Sequence, residues 1–453
     1  MNEGIEKEDK GRIKQPSKRT HVLSKSPMVA GLRLMFARCG QHLTHLSISG
    51  IGGGNLASCA AYSSKRSSTF TGEDVLLHVT LRCRNLQSLD VSWTNVTDKS
   101  VSALAWACPE LRQIDVSGCS SVSDAGVVAI VDALGGGCGG GREGDDGSGN
   151  CGVSAGVCGV NTAHAGSSGV LRHLDVSGCV GVTNFSFHRV VANCSRDLRH
   201  LGVGGLFRLP HSLLLSELPK FTALSSLNLR NSKQIRDPLL KNISKSCLKL
   251  EELRLGGCGL ITDEGIIHLA ANFANNAAAV DASDDHDDER DAGRKITRKQ
   301  RIGCKSASTT PSKSTSASGA TTHRGRLRRL ELEGCGNIGD DSIRALVNSD
   351  LPLQHLDVSG TAVSAKGIQL LANFVYRTLE EVKCNFLKDV ADGSCFTKLV
   401  RHCKKLRLLE VVGVKVGGCS VGGGGVDGGG RGAGSKLRTK CKEINEKLVF
   451  KDF

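Results

Sequence analysis

The chain has 453 residues, of which 39% are hydrophobic and 4% aromatic, with 56 glycines, 19 cysteines and a formal net charge of +14. That length allows several ordinary domains or one long solenoid, and the scarcity of rings points to a core of small aliphatic side chains used many times over. No apolar run approaches the ~18 residues a membrane span needs, and no basic start leads into a short apolar stretch, so neither a spanning helix nor a secretory leader is expected. An odd number of cysteines then suits reduced thiols in the cytoplasm, with the nucleus as a second compartment.

Residues 1–26 are polar and basic and read as a disordered tail, with nuclear targeting or polyanion binding as the alternative. The stretch MVAGLRLMFARC is helix-like and leads to a degenerate strand motif at Leu43, Leu46 and Ile48. A Gly/Ser-rich segment, 52–72, follows, and the 43-residue gap from Leu43 to Leu86 leaves room for an eroded repeat. From Leu86 the motif L-x-x-L-x-L is clear: Leu86, Leu89 and Val91, then Leu111, Ile114 and Val116 after 25 residues. Each copy continues through a polar bend into an apolar helical run. Further copies start at Leu171, Leu198, Leu224, Leu250, Leu327, Leu353, Leu379 and Leu406, at steps of 26 or 27 residues except across two flexible inserts, 135–169 and 275–326. The second insert is a polyampholyte followed by a Ser/Thr tract. Residues 27–412 thus form the repeat region, 413–435 a Gly-rich linker, and 436–453 an amphipathic helical cap. The inserts are expected between a helix end and the next strand, where a stacked repeat can bulge without losing core contacts.

Self-similarity at this period defines a solenoid, because one unit cannot bury its apolar face alone. Within LQSLDVSWT, Leu86, Leu89 and Val91 point inward, while Ser88, Asp90 and Ser92 point to an open strand face. Three residues beyond Val91 the units carry Thr94, Cys119, Cys179, Ser232, Cys258, Cys335 or Thr361, small donors placed where a turning chain leaves carbonyls to satisfy. A second cysteine set, Cys83, Cys108, Cys194, Cys247 and Cys403, closes the helices a few residues before the next strand. Thr97-Asp98, Ser123-Asp124, Thr183-Asn184 and Thr262-Asp263 read as helix caps.

LDVSWTNVTDKSVSALAWACPELRQIDVSGCSSVSDAGVVAI and LEELRLGGCGLITDEGIIHLA resemble the cysteine-containing class of leucine-rich repeats. That class is best known from the substrate-binding half of F-box/LRR proteins, the receptors of SCF ubiquitin ligases. The resemblance covers roughly residues 80–134, 170–274 and 327–411, and implies an α/β leucine-rich-repeat solenoid: curved, with parallel strands on the concave face, helices on the convex face and disordered low-complexity inserts. Residues 1–42 carry no recognisable F-box: they hold Pro16 and Pro27 and no tryptophan.

Reactive constellations are not found: no phosphate-binding G-x-x-x-x-G-K-[ST], no H-E-x-x-H, no G-x-S-x-G. Cys138, Cys151, Cys158 and His164 lack the paired spacing of a zinc site, and neither a cofactor nor a metal is expected. The open strand face is the expected partner surface. Two of its rows carry seven acids (Asp90, Asp115, Asp175, Glu331, Glu333, Asp357, Glu410) against Arg230, Arg254 and Lys383, so that face is acidic although the chain is basic, which disfavours nucleic acid there. The alternative is that aspartate in LDVSG is a solvated habit of the repeat. His173, His200 and His355 line the preceding row as rim polar groups. Candidate contact residues are Asp90, Ser92, Trp93, Asp115, Ser117, Asp175, Arg230, Arg254, Glu331 and Asp357, with Trp93 foremost as an aromatic beside the open face. The expected function is non-enzymatic protein recognition. By resemblance its partners would be a ligase adaptor and a degradation substrate, and the competing expectation is a structural scaffold in a cytoskeletal, axonemal or nuclear assembly.

Overall fold

The computed structural model describes residues 27–50, 72–135, 170–280, 326–374, 378–390, 393–416, 419–420 and 431–451. The tail 1–26, the four-residue Cys/His set and nearly all of the three glycine-, serine- or charge-rich segments lie outside them.

Short strands alternate with helices along the chain. Before the first insert the strands are β1 (His45–Ser47), β2 (Ser88–Asp90) and β3 (Gln113–Asp115). Between the inserts come β4 (His173–Asp175), β5 (His200–Gly202), β6 (Ser226–Asn228) and β7 (Glu252–Arg254). After them come β8 (Arg329–Glu331), β9 (His355–Asp357), β10 (Glu381–Lys383), β11 (Leu408–Glu410), a small antiparallel pair, β12 (Lys415–Val416) with β13 (Cys419–Ser420), and β14 (Val449–Lys451). The helices are α1 (Pro27–Cys39), α2 (Gly72–Arg82), α3 (Asp98–Ala107), α4 (Asp124–Leu134), α5 (Asn184–Cys194) and α6 (His211–Glu217). They continue as α7 (Asp237–Ser246), α8 (Asp263–Val280), α9 (Asp340–Asn348), α10 (Ala365–Phe374), α11 (Ser394–His402) and α12 (Arg431–Ile444).

Twelve of these strands form one sheet in strict chain order, β1 through β11 and then β14, every neighbouring pair parallel. Leu89, Ile114, Leu174, Leu201, Leu227, Leu253, Leu330, Leu356, Val382 and Leu409 pair across it as a single buried row. This is an α/β leucine-rich-repeat solenoid. Pairing passes without a break from β3 to β4 and from β7 to β8, so both long inserts leave after a helix and return before a strand.

Three details differ from the expectations. The gap between Leu43 and Leu86 contains one stretched repeat, because β1 pairs directly with β2 and α2 is the helix between them; the segment before α2 therefore follows a strand, not a helix. The terminal cap is more than a helix: α12 begins at Arg431, inside the Gly-rich stretch, and is followed by β14. That strand escapes the motif because Lys447 stands where the first leucine would, leaving Phe450, opposite Leu409, with Leu448 one residue off the motif as its neighbour in the core.

The Ser and Thr caps act on their own helices, Ser123 and Thr183 accepting the Ala125 and Phe185 amides, but the aspartates beside them act one repeat further on. Asp98 opens α3, yet its carboxylate accepts the Ser123 and Gly126 amides at 2.7 and 3.0 Å and the Ser123 hydroxyl at 2.6 Å, all at the start of the next helix. Asp124 does the same for Thr183 and Ser186, Asp237 for Thr262, Asp263 for Gly339 and Ser342, and Asp340 for Ser364. At the openings of α4, α5, α8, α9 and α10, amides that the helix cannot satisfy itself are thus met by the preceding repeat. The close approach also explains Gly126, where a Cβ would stand 2.5 Å from Asp98 Oδ1.

Asp98→Ala leaves two part-buried amides without an acceptor, so thermal or urea unfolding is expected to show a loss of about 1–3 kcal/mol, against under about 0.5 kcal/mol for the neighbouring Lys99→Ala.

Candidate functional site

The open face of the sheet is built from three rows per strand. In the middle row Asp90, Asp115, Asp175, Gly202, Asn228, Arg254, Glu331, Asp357, Lys383 and Glu410 stand in register. Their neighbours divide the face into parts of different character.

Over β2–β4 the acids stand together. Among the described residues the only side chain with positive potential at ion-pair distance is His200, 3.6 Å from Asp175. Burial, helped by the neighbouring Asp175 and Asp90, raises the Asp115 carboxyl above its ordinary value. Burial works the same way on Asp175, but donors from His200 and Ser177 outweigh it and the carboxyl is held low. His173 and His200 stack in parallel with ring centroids 3.8 Å apart, and burial, reinforced by His200, lowers His173 to about 4.

Over β6–β8 charges cancel. Arg230 reaches Glu331 and Glu333, each at 3.1 Å, and Arg254 reaches Glu252 at 3.3 Å. Arg329 pairs with Glu252 at 3.1 Å. The three arginines are therefore engaged within the sheet face. Glu252 and Arg329 belong to the row two residues before the aspartates; the period-2 alternation that singled out Asp90 also marks them, had that row been read beyond its histidines.

Several expected contact residues also have structural work. The D-x-S pattern is a local turn: Asp90, Asp115, Asp175 and Asp357 accept the amide two residues on at 3.0, 2.8, 2.8 and 2.9 Å. Ser92, expected on the open face, is 8% exposed and donates its hydroxyl to Asp90 at 2.7 Å, because the chain is already turning out of the strand. Asp175 and Asp357 are each only 6% exposed, Asp175 lying across the space where Gly202 has no side chain. Asp90, Asp115 and Ser117 remain half-buried and reachable.

Trp93 lies on the rim, not on the strand face. Its backbone is left-handed, with φ 57°, at the turn position where neighbouring repeats use Gly50, Gly118 and Gly178. The indole is 49% exposed and covers Gly118; a Cβ there would be 2.6 Å from Trp93 Cδ2. Phe386, with φ 56° and 61% exposed, repeats this arrangement over Gly413.

Nine of the described cysteines form two buried rows. Cys119, Cys179, Cys258 and Cys335 point Sγ at the preceding strand's carbonyls, those of Val91, Val116, Leu229 and Leu255, at 3.1–3.2 Å. Thr94 and Thr361 satisfy their own strands' carbonyls, Val91 and Val358, at 2.6 Å. In the second row Cys108 donates to the Cys83 carbonyl at 3.2 Å. Burial pushes Cys108, Cys194 and Cys247 up to about 12, so these thiols stay protonated at neutral pH and are neither nucleophiles nor thiolate ligands. Among the described residues no three His, Cys, Asp or Glu side chains are grouped to hold a metal, and no helix is long and apolar enough to cross a membrane.

A family model described as Leucine Rich repeat matches residues 82–105 and 246–270. F-box/LRR-repeat protein 5 from Bos taurus and from Pongo abelii are each 35% identical over 77 residues, and the mouse (Mus musculus) protein matches to the same extent. The aligned part is 17% of this chain and only 10% of each relative's length. Among solved structures, the yeast Rad7–Elc1 complex overlays with a TM-score of 0.49 at 13% identity, covering 86% of this chain and 84% of that one. An internalin from Listeria monocytogenes overlays with 0.34 at 12%, covering 94% of each. These overlaps are too loose to carry function.

Two measurements check the site's physics. Cys119→Asp is expected to cost about 3 kcal/mol or more, since a buried carboxylate would face the Val91 carbonyl and compete with it for the Thr94 hydroxyl, whereas Cys119→Ser keeps a donor and stays within about 1.5 kcal/mol. For His173 the folded form holds its proton less tightly than the unfolded chain, so stability rises with pH across the window from about 4 to 6.5. Melting curves of His173→Gln are expected to lose that slope. The chain is a leucine-rich-repeat solenoid, and over 77 residues it is similar to F-box/LRR-repeat proteins.

Proposed function

We propose that the chain is a non-enzymatic recognition subunit that holds a protein partner on the open sheet face and presents it to SCF-type ubiquitination. One observation carries the binding half of this reading. Asp90, Asp115 and Asp175 stand on three adjacent strands without Lys or Arg at ion-pair distance among the described residues, while the arginines farther along are spent on Glu252, Glu331 and Glu333. Like charges brought together and half-buried are destabilising until an opposite charge arrives. Such a surface favours a cationic stretch of a partner protein and repels a phosphate backbone. The ubiquitin half is supported by the repeat-class resemblance and by the 77-residue match to F-box/LRR-repeat proteins. The buried, protonated thiols and the structural duties of the helix-opening aspartates agree with a binding module rather than an enzyme. A soluble cytoplasmic or nuclear setting goes with this reading.

Affinity capture of the intact chain is expected to recover the ligase adaptor and cullin together with a substrate. Recovery of filament or axonemal proteins in their place would sink the ligase reading and favour a scaffold. For the surface, Asp90→Asn with Asp115→Asn keeps the acceptors for Ser92 and Ser117 while removing two charges. It is expected to leave melting unchanged or raised and to weaken the captured substrate tenfold or more at low salt; undiminished capture would move the binding site off the acidic third.

A further inference from the structure

A stack of repeats exposes its core at both ends, so each end needs a cover with a polar outer side. The two ends of this solenoid are finished differently. At the far end α12 turns Leu437 and Cys441 inward and Lys436, Lys440, Lys442 and Glu443 outward, with Ile444 36% exposed at its last residue and Val449 54% exposed on β14. At the near end α1 buries Phe36 but leaves Leu34 60% and Met35 39% exposed. Beside it α2 turns Val75, Leu76 and Val79 into the core and presents Leu77 and Leu81, one helical turn apart, 50% and 64% exposed. Between the helices lies an open groove of about 430 Å³ lined by Phe36, Ala37, Gln41, Leu81, Arg82 and Asn85. Apolar side chains at i and i+4 beside a groove between helices are the surface that receives an amphipathic helix.

The charge around the groove restricts its occupant. Arg82 and Arg84 line it and are exposed, Arg38 is exposed at the end of α1, and among the described residues none of the three has a carboxylate at ion-pair distance. The chain's own candidates do not match. Residues 1–26 hold seven Lys or Arg against four acids, and residues 51–71 hold Lys65 and Arg66 with no acid. The acidic stretch from Asp281 to Asp291 has no large apolar residue with which to fill a groove. A second copy would set the same arginines against each other. We infer that the groove between α1 and α2 is a second protein-docking site, separate from the sheet face, that takes an amphipathic helix of a partner chain carrying an apolar stripe flanked by Glu or Asp.

The test uses the full-length chain and two synthetic helical peptides with the same leucine stripe, one flanked by Glu and one by Lys, followed by fluorescence anisotropy. The Glu peptide is expected to bind at least tenfold more tightly than the Lys peptide at low salt. Leu77→Glu with Leu81→Glu, both at exposed positions, should abolish that binding without changing the melting curve. Arg82→Glu with Arg84→Glu should reverse the preference between the peptides. Equal binding of the two peptides, binding of neither, or insensitivity to the leucine changes would overturn the inference. A dimer seen in sedimentation that Leu77→Glu with Leu81→Glu dissolves would overturn it in favour of a second copy. None of these readings depends on what the acidic sheet face binds.

Discussion

Every repeat in this protein leaves polar backbone groups that it cannot satisfy itself, and the rest of the structure follows from lending and borrowing them. The parallel ladder passes amide and carbonyl from strand to strand. The thiol of Cys119 meets a carbonyl of the repeat before it, and the carboxylate of Asp98 meets amides of the repeat after it. Each unit is completed by both neighbours, which is why a strand of three residues suffices and why stability belongs to the stack rather than to any one unit. The long inserts are tolerated for the same reason: pairing runs uninterrupted past them, and they branch off where no shared bond is broken.

The carboxylate bonds are absent in the middle of the stack. Asn184 stands at the head of α5 where Asp98 and Asp124 stand in earlier helices, and α6 is short, begins after Pro210 and passes into a 3-10 turn containing Pro219. The repeats on either side have the Asp bond and this junction lacks it. The opening of α7 depends instead on Pro238 in its first turn and on packing through Leu239 and Leu240.

The fold was legible because the apolar period fixes which side chains are inside: all ten strand leucines named by the motif, from Leu86 to Leu406, are buried. β14 was not legible, since Lys447 and Asp452 stand at the motif's first and last apolar positions and its core side chains are Leu448 and Phe450. The site was read less well, and for a definite reason. Alternation says that Asp175 and Asp357 leave the core, but not that a carboxylate two residues before an amide will turn back and bond it. Nor does it say that Arg230 will span to Glu331 and Glu333, more than a hundred residues away in sequence and two strands away in space. Local chemistry decides the first and the insert-spanning register the second, and neither is written in a single repeat.

The aromatic turns at Trp93 and Phe386 impose a grammar on the chain. A ring in the left-handed position lies where the next repeat's Cβ would be, and in both cases the next repeat has glycine there, Gly118 and Gly413. Asn231 before Gly257 obeys the same rule. The residue pair, not the repeat, is therefore the smallest unit that can be moved. A designer who duplicates, deletes or reorders these repeats must cut so that each such side chain keeps its glycine, and drift that replaces Gly118 must first shrink Trp93.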